Sequence, residues 1–173
     1  MTLLDRVCAA LDAAGVRCAL IGAAALAAAG VARSTYDIDL LATDPRSLGE
    51  DVWTAARAGG ASVEIRRGDA DDPLLGVVRI SSAGERPVDV VVGRFDWQRR
   101  AIERAERPGS GPAVVRPSDL ILLKLHAGGP QDLWDIQQLL ALPNAAALAA
   151  MVDADLAALP ADARERWTLV RRG

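Results

Sequence analysis

Residues 33–42 read Arg33-Ser34-Thr35-Tyr36-Asp37-Ile38-Asp39-Leu40-Leu41-Ala42. Acidic and apolar residues alternate from Asp37 to Leu40, which is the two-residue period of a strand. Asp37 and Asp39 therefore share one face, while Ile38 and Leu40 point into a core. Two residues of rise place the carboxylates roughly 6.5–7 Å apart at the backbone. Side-by-side anions repel unless a cation or a shared proton lies between them. Mg²⁺ takes oxygen ligands, commonly one or two carboxylates together with substrate phosphates. Taken alone, the pair also fits two solvated aspartates at a strand end.

Upstream, Leu3 to Ala14 has helical spacing, with Leu4, Val7, Cys8 and Leu11 on one side. Cys18-Ala-Leu-Ile21 is a short buried strand, and Ala23 to Ala29 is a helix stopped by Gly30. Gly22 lies at the junction, where a missing Cβ lets a backbone approach closely and a helix start presents free N–H groups. Downstream, the pattern predicts one helix over Arg46 to Ala58. Strands follow at Ser62–Arg67, Leu75–Ser81 and Val88–Val92, with a loop from Gly68 to Pro73 between the first two. Phe95 to Glu106 reads as an amphipathic helix. Pro108-Gly-Ser-Gly-Pro112 is the best internal boundary. A short strand at Ala113–Val115 precedes helices at about Ser118–Ala127, Gln131–Ala141, Asn144–Asp153 and Ala161–Arg171. The expected architecture is α+β: an α/β core over 1–112 and a helical C-terminal region over 113–173 packed on it, together forming one compact domain or two parts.

Two further charged positions stand out. Asp89 interrupts the run Val88-Asp-Val-Val-Val92, and a carboxylate in such a strand is costly without a partner. If that strand lies beside the Asp37–Asp39 strand, three carboxylates share one edge, the set used in two-metal phosphoryl or nucleotidyl transfer. Lys124, the chain's lone lysine among its 20 basic residues, sits in the apolar helix Leu120-Ile-Leu-Leu-Lys-Leu125 and must reach an anion or water. Asp132 and Asp135, three apart on the next helix, are candidate partners. Asp132 also lies in the first turn, where an acidic residue favours the helix dipole.

Composition sets the limits. The chain has 173 residues, half of them apolar, and a formal charge of −3. That excludes intrinsic disorder and argues against a non-specific nucleic-acid binder. The longest apolar run, Cys18 to Ala32, is too short to span a membrane. Asp5 and Asp12 speak against a signal peptide. Two cysteines and one histidine make neither a disulfide framework nor a zinc site, so a cytoplasmic setting is expected. His126 is expected to point away from Lys124, Trp134 to pack between helices, and Trp53, Trp97 and Trp167 to be core or interface. The pairs Arg66-Arg67, Arg99-Arg100 and Arg171-Arg172 read as solvated charge, and could hold RNA only if they fall beside the active edge.

Taken together, Ile21-Gly-Ala-Ala-Ala-Leu26, Arg33-Ser-Thr-Tyr-Asp-Ile-Asp-Leu-Leu41 and Val88-Asp-Val90 resemble the nucleotidyltransferase superfamily of polymerase-beta-like fold. The stretch from Asp119 to Ile136 resembles the Lys and Asp-x-x-Asp motifs of AbiEii-type, toxin–antitoxin-related members. The resemblance covers about Ala19 to Leu140. It implies a mixed sheet flanked by helices with a C-terminal helical cap. It implies transfer of a nucleoside monophosphate from an NTP to a hydroxyl of RNA, protein or a small molecule, with pyrophosphate released. Asp37, Asp39 and Asp89 are then the catalytic, Mg²⁺- or Mn²⁺-binding carboxylates. Gly22, Ala23, Arg33, Thr35, Lys124, Asp132 and Asp135 belong to the nucleotide site. Implied partners are the NTP, a tRNA or other RNA acceptor, and a cognate antitoxin protein. Small-molecule members adenylylate antibiotic hydroxyls with the same machinery. Two departures, Ala23 for the usual Gly or Ser and Gly129 where many relatives have Arg, point to the other reading: a degenerate member that binds nucleotide or a partner without turnover.

Overall fold

The computed structural model describes residues 1–172. Helix α1 (Leu3–Ala13) starts at a capping box, in which Thr2 and Asp5 satisfy each other's backbone N–H groups. It is followed by β1 (Cys18–Leu20), α2 (Gly22–Ala28) and β2 (Ile38–Ala42). Next come α3 (Thr54–Ala58), β3 (Ser62–Arg67), β4 (Leu74–Ser81), β5 (Val88–Gly93) and α4 (Asp96–Glu103). Four further α-helices follow among the described residues: α5 (Pro117–Ala127), α6 (Pro130–Leu140), α7 (Ala145–Asp155) and α8 (Ala161–Val170).

The five strands form one mixed sheet in the order β1-β2-β5-β4-β3. Only β2 and β5 run parallel, and the other pairs are antiparallel. One sheet face carries Leu40, Val78, Ile80, Val88, Val90 and Val92, all buried with Leu3, Val7, Leu11 and Trp53 beneath α1 and α3. A second core joins Ala25, Leu26 and Trp97 to Leu120, Leu125, Ile136, Leu148 and Trp167 of the C-terminal helices. The fold is therefore α+β, a mixed sheet flanked by helices, as the sequence predicts.

Local chemistry corrects three expectations. The single helix over Arg46–Ala58 is broken into 3-10 turns at Pro45–Leu48 and Asp51–Trp53 before α3 begins. Asp44 caps the first turn and Gly49 leaves it in extended conformation. The buried Trp53 indole N–H then donates to the Ser47 carbonyl (2.9 Å), fixing the irregular path. The strand at 113–115 is only a pair of single-residue bridges, Val114 to Leu20 and to Glu106. Trp134 does not pack between helices: α6 buries Asp135, Ile136 and Leu139, and Trp134, one residue off that stripe, is 45% exposed. Trp53, Trp97 and Trp167 are buried as expected.

Candidate active site

The site is built by strand register. Asp39 on β2 stands opposite Asp89 on the parallel strand β5, and Asp89 stands opposite Arg79 on β4. Arg79 in turn faces Glu64 on β3. One row across the sheet thus reads Asp39, Asp89, Arg79, Glu64, on the face opposite Leu40, Val90 and Ile80. Asp37, two residues before Asp39, belongs to the same face. The three carboxylates predicted from sequence are thus brought to one face of the sheet.

Each carboxylate has a different environment. Thr35 donates its hydroxyl to Asp37 Oδ1 (3.0 Å). That bond, followed by the residue's own backbone N–H and then the nearby Arg79 charge, holds the Asp37 carboxyl below the usual range. Asp39 is pushed up, first by burial and then by the neighbouring Asp37 and Asp89 anions. Asp89 is also raised, chiefly by burial. Its Oδ1 is buried without any hydrogen-bond partner, while Oδ2 accepts from Arg79 Nη1 at 3.0 Å. Arg79 Nη2 reaches Asp37 Oδ2 at 3.4 Å.

This donor set suits a hard divalent cation: all ligands are oxygens, negative charge is in surplus, and one buried oxygen is orphaned. As the side chains stand, no three His, Cys, Asp or Glu groups among the described residues form a ready metal cage. The Arg79 guanidinium links Asp37 to Asp89.

Gly22 closes the site from β1. The Ile21 N–H donates to the Asp39 carbonyl (3.0 Å), so the chain leaves β1 beside β2. Gly22 then turns with φ +59, and a Cβ there would run into the Asp39 carboxylate. Ala23, the next residue, buries its methyl in the fold.

Lys124, Asp132, Asp135 and Arg33 form a second cluster. Lys124 Nζ lies 2.5 Å from Asp135 Oδ2 and 3.1 Å from Asp132 Oδ1. Arg33 Nη1 meets the same Asp135 oxygen at 2.7 Å. Lys124 and Asp135 are both buried. Asp132 also accepts from the Gly129 N–H (3.1 Å), so it caps α6 and holds Lys124 at once. The two cations lie near enough to Asp39 to offset part of its rise.

Two residues at the site escaped the sequence reading. Arg79 carries a weak sequence signal, a charge among Leu74-Leu-Gly-Val-Val-Arg-Ile80, but its meaning needs the register. Arg86 donates to the carbonyls of Thr35, Tyr36 and Asp37, clamping the segment ahead of β2. His126 stands edge-on to Phe95 and Trp97, with ring centroids 5.4 Å away in each case, remote from any catalytic geometry. A groove of about 380 Å³ opens beside Asp89 and Arg79, walled by Glu64, Arg66, Arg67 and Val77. Arg66-Arg67 thus lies beside the carboxylate row, whereas Arg99 and Arg171 pair with helix acids elsewhere.

No family model matches the sequence, and no curated protein matches it. Structural comparison does find neighbours. ANT(2'')-Ia, solved by crystallography in complex with adenylyl-2''-tobramycin, aligns with a TM-score of 0.56 at 15% identity, covering 90% of this chain and 95% of that one. The solution structure of the same antibiotic-resistance factor gives 0.56 at 16% identity, over 98% and 94%. An antigenic nucleotidyltransferase-like protein from Paracoccidioides brasiliensis aligns with a TM-score of 0.44 at 18% identity, over 96% and 90%. Together with the five-stranded mixed sheet and its flanking helices, the two ANT(2'')-Ia structures establish that this chain shares their fold.

Proposed function

We propose that this chain is a divalent-metal-dependent nucleotidyltransferase that moves a nucleoside monophosphate from an NTP to a hydroxyl and releases pyrophosphate. The observation that carries the reading is the in-register pair Asp39–Asp89 on adjacent parallel strands, with Asp37 on the same face. In this reading Asp37, Asp39 and Asp89 hold Mg²⁺ or Mn²⁺, which when bound neutralises the triphosphate and eases ionisation of the acceptor hydroxyl. Asp89 takes the acceptor proton, and the freed oxygen attacks the α-phosphorus as pyrophosphate leaves. Gly22 admits the triphosphate close to the backbone. Thr35 keeps Asp37 ionised. Ala23, Arg33, Lys124, Asp132 and Asp135 form the nucleotide side, where Asp132 and Asp135 hold the two cations in fixed positions.

On the finer scale, the motif from Asp119 to Ile136 supports an AbiEii-type enzyme of a toxin–antitoxin pair, acting in the cytoplasm. No helix among the described residues is long and apolar enough to cross a membrane. The groove beside Asp89, with Arg66, Arg67 and Arg79 on its wall, suits an acceptor that carries phosphate, such as a tRNA end.

The test is thermal unfolding of wild type and Asp37→Asn/Asp39→Asn with each NTP, with and without Mg²⁺. A nucleotide at 100 times its dissociation constant adds about 2.7 kcal/mol, a shift of a few degrees for a chain of this size. The expected shift needs metal and nucleotide together and vanishes in the variant. The nucleotide so identified then goes into a pyrophosphate-release assay with tRNA, protein and aminoglycoside acceptors. Absence of a shift with every NTP overturns the reading, and a shift without pyrophosphate from any acceptor makes the chain a nucleotide binder.

A further inference from the structure

We infer that Arg79 is a built-in counter-cation of the carboxylate site: its guanidinium occupies one oxygen each of Asp37 and Asp89 and must be displaced into the neighbouring groove before a divalent cation binds. The inference rests on the proposed metal site and adds a residue to it. Nothing in the spacing of the acidic motifs points to this arginine.

The geometry is specific. Nη1 and Nη2 of one guanidinium contact two different carboxylates, at 3.0 Å to Asp89 Oδ2 and 3.4 Å to Asp37 Oδ2. Arg79 is held there by register, directly opposite Asp89 on the antiparallel neighbour β4. With it in place, three carboxylates face one +1 charge. Without it, Asp39 and Asp89 lie opposite each other on adjacent strands, offset by Arg33 and Lys124 at Asp39 and by Arg66 at Asp89. A divalent cation would draw on the same carboxylates and bring twice the charge, so the two cations would compete for Asp37 and Asp89.

The release route is also present. The Arg79 side chain is 41% exposed and stands on the wall of the 380 Å³ groove, so a rotamer change carries its head group into open space. The longer of its two contacts, at 3.4 Å, is the weaker and the easier to give up. Once released, the guanidinium joins Arg66 and Arg67 along that groove, so metal binding also makes the groove more positive. Arg79 is thus a positioning residue: it keeps the carboxylates assembled before metal arrives and sets the metal concentration at which the site fills.

The experiment measures Mn²⁺ binding to the nucleotide-free protein by electron paramagnetic resonance and by calorimetry. Wild type, Arg79→Gln, Arg79→Lys and Asp39→Asn are compared. The expected result is Mn²⁺ affinity in Arg79→Gln on the order of tenfold tighter than wild type, because a charge-assisted, partly exposed competitor is gone. Arg79→Lys, which keeps the charge but loses the two-armed grip, is expected in between and guards against misfolding of the glutamine variant. Asp39→Asn is expected to lose the binding. Affinity in Arg79→Gln and Arg79→Lys equal to or weaker than wild type, with Asp39-dependent binding intact, overturns the role of Arg79 alone. Absence of Asp39-dependent Mn²⁺ binding in both wild type and the arginine variants overturns the metal site itself and this inference with it.

Discussion

Two charged clusters lie side by side in this protein, and they are solved in opposite ways. The Lys124 cluster sets two cations, Lys124 and Arg33, against two carboxylates, Asp132 and Asp135. It balances to zero and is largely buried. The sheet cluster sets three carboxylates against one arginine, leaves Asp89 Oδ1 without a partner, and opens onto a groove. A balanced buried cluster stabilises a geometry, since removing one member strands the others. An unbalanced cluster at an opening stores a demand for a positive ligand. The two clusters should therefore respond differently to substitution.

The largest expected effect is on the balanced side. Asp135→Ala leaves Lys124 buried with only the partly exposed Asp132, and deprives Arg33 of its carboxylate partner. A loss of about 3–5 kcal/mol is expected, read as a lower midpoint in urea unfolding. A loss under about 1 kcal/mol would break the comparison, by showing that water already screens this cluster.

Gly22→Ala comes next. It forces a side chain into φ +59 and against the Asp39 carboxylate. The backbone term alone costs about 1–2 kcal/mol. The variant is expected to lose stability by at least that amount and to lose nucleotide-dependent stabilisation as well. Retention of the full nucleotide shift would separate Gly22 from the carboxylate site.

The smallest effect has the opposite sign. Asp39→Asn is expected to stabilise the ligand-free protein, by on the order of 1 kcal/mol or less. The folded-state pKa of Asp39 is raised by burial and by two neighbouring anions. Below its unfolded value of about 3.9 the group is protonated in both states and costs nothing. The cost appears as pH rises through the folded-state pKa and persists at neutral pH. The advantage of Asp39→Asn in urea unfolding should therefore be present at pH 7 and absent at pH 3. Equal stability at both values would show that Arg79, Arg33 and Lys124 already neutralise the sheet cluster, and the contrast between the clusters would fall.

The two clusters also differ in how far they could be read from sequence. Lys124 among leucines is an anomaly on a single helix, and Asp132 and Asp135 are three residues apart on the next. Helical periodicity pairs them, and the structure joins them by direct contacts. Arg33, which completes that cluster 102 residues away from Asp135, was placed near the site only by family resemblance. On the sheet, Asp37 and Asp39 were legible because a strand shows alternate residues on one face. Arg79 was not, because a charged residue inside a strand acquires its meaning only from the strand beside it. The broken segment 45–53 failed for a related reason: its helical spacing was sound, but the buried Trp53–Ser47 hydrogen bond outweighed local propensity.

The sequence by itself determined the alternation that aims Asp37 and Asp39 at one face, the α+β order of elements, and the glycine that must turn beside them. These are local properties, set by the two-residue period of strands and the backbone freedom of glycine. Only the tertiary structure decided that β5 lies parallel to β2 and β4 antiparallel to β5. That pairing sets Asp89 beside Asp39 and Arg79 beside Asp89. Strand order and register depend on which apolar faces bury together across the whole chain. A one-residue slip would turn Arg79 to the other face and leave the carboxylates without their counter-cation.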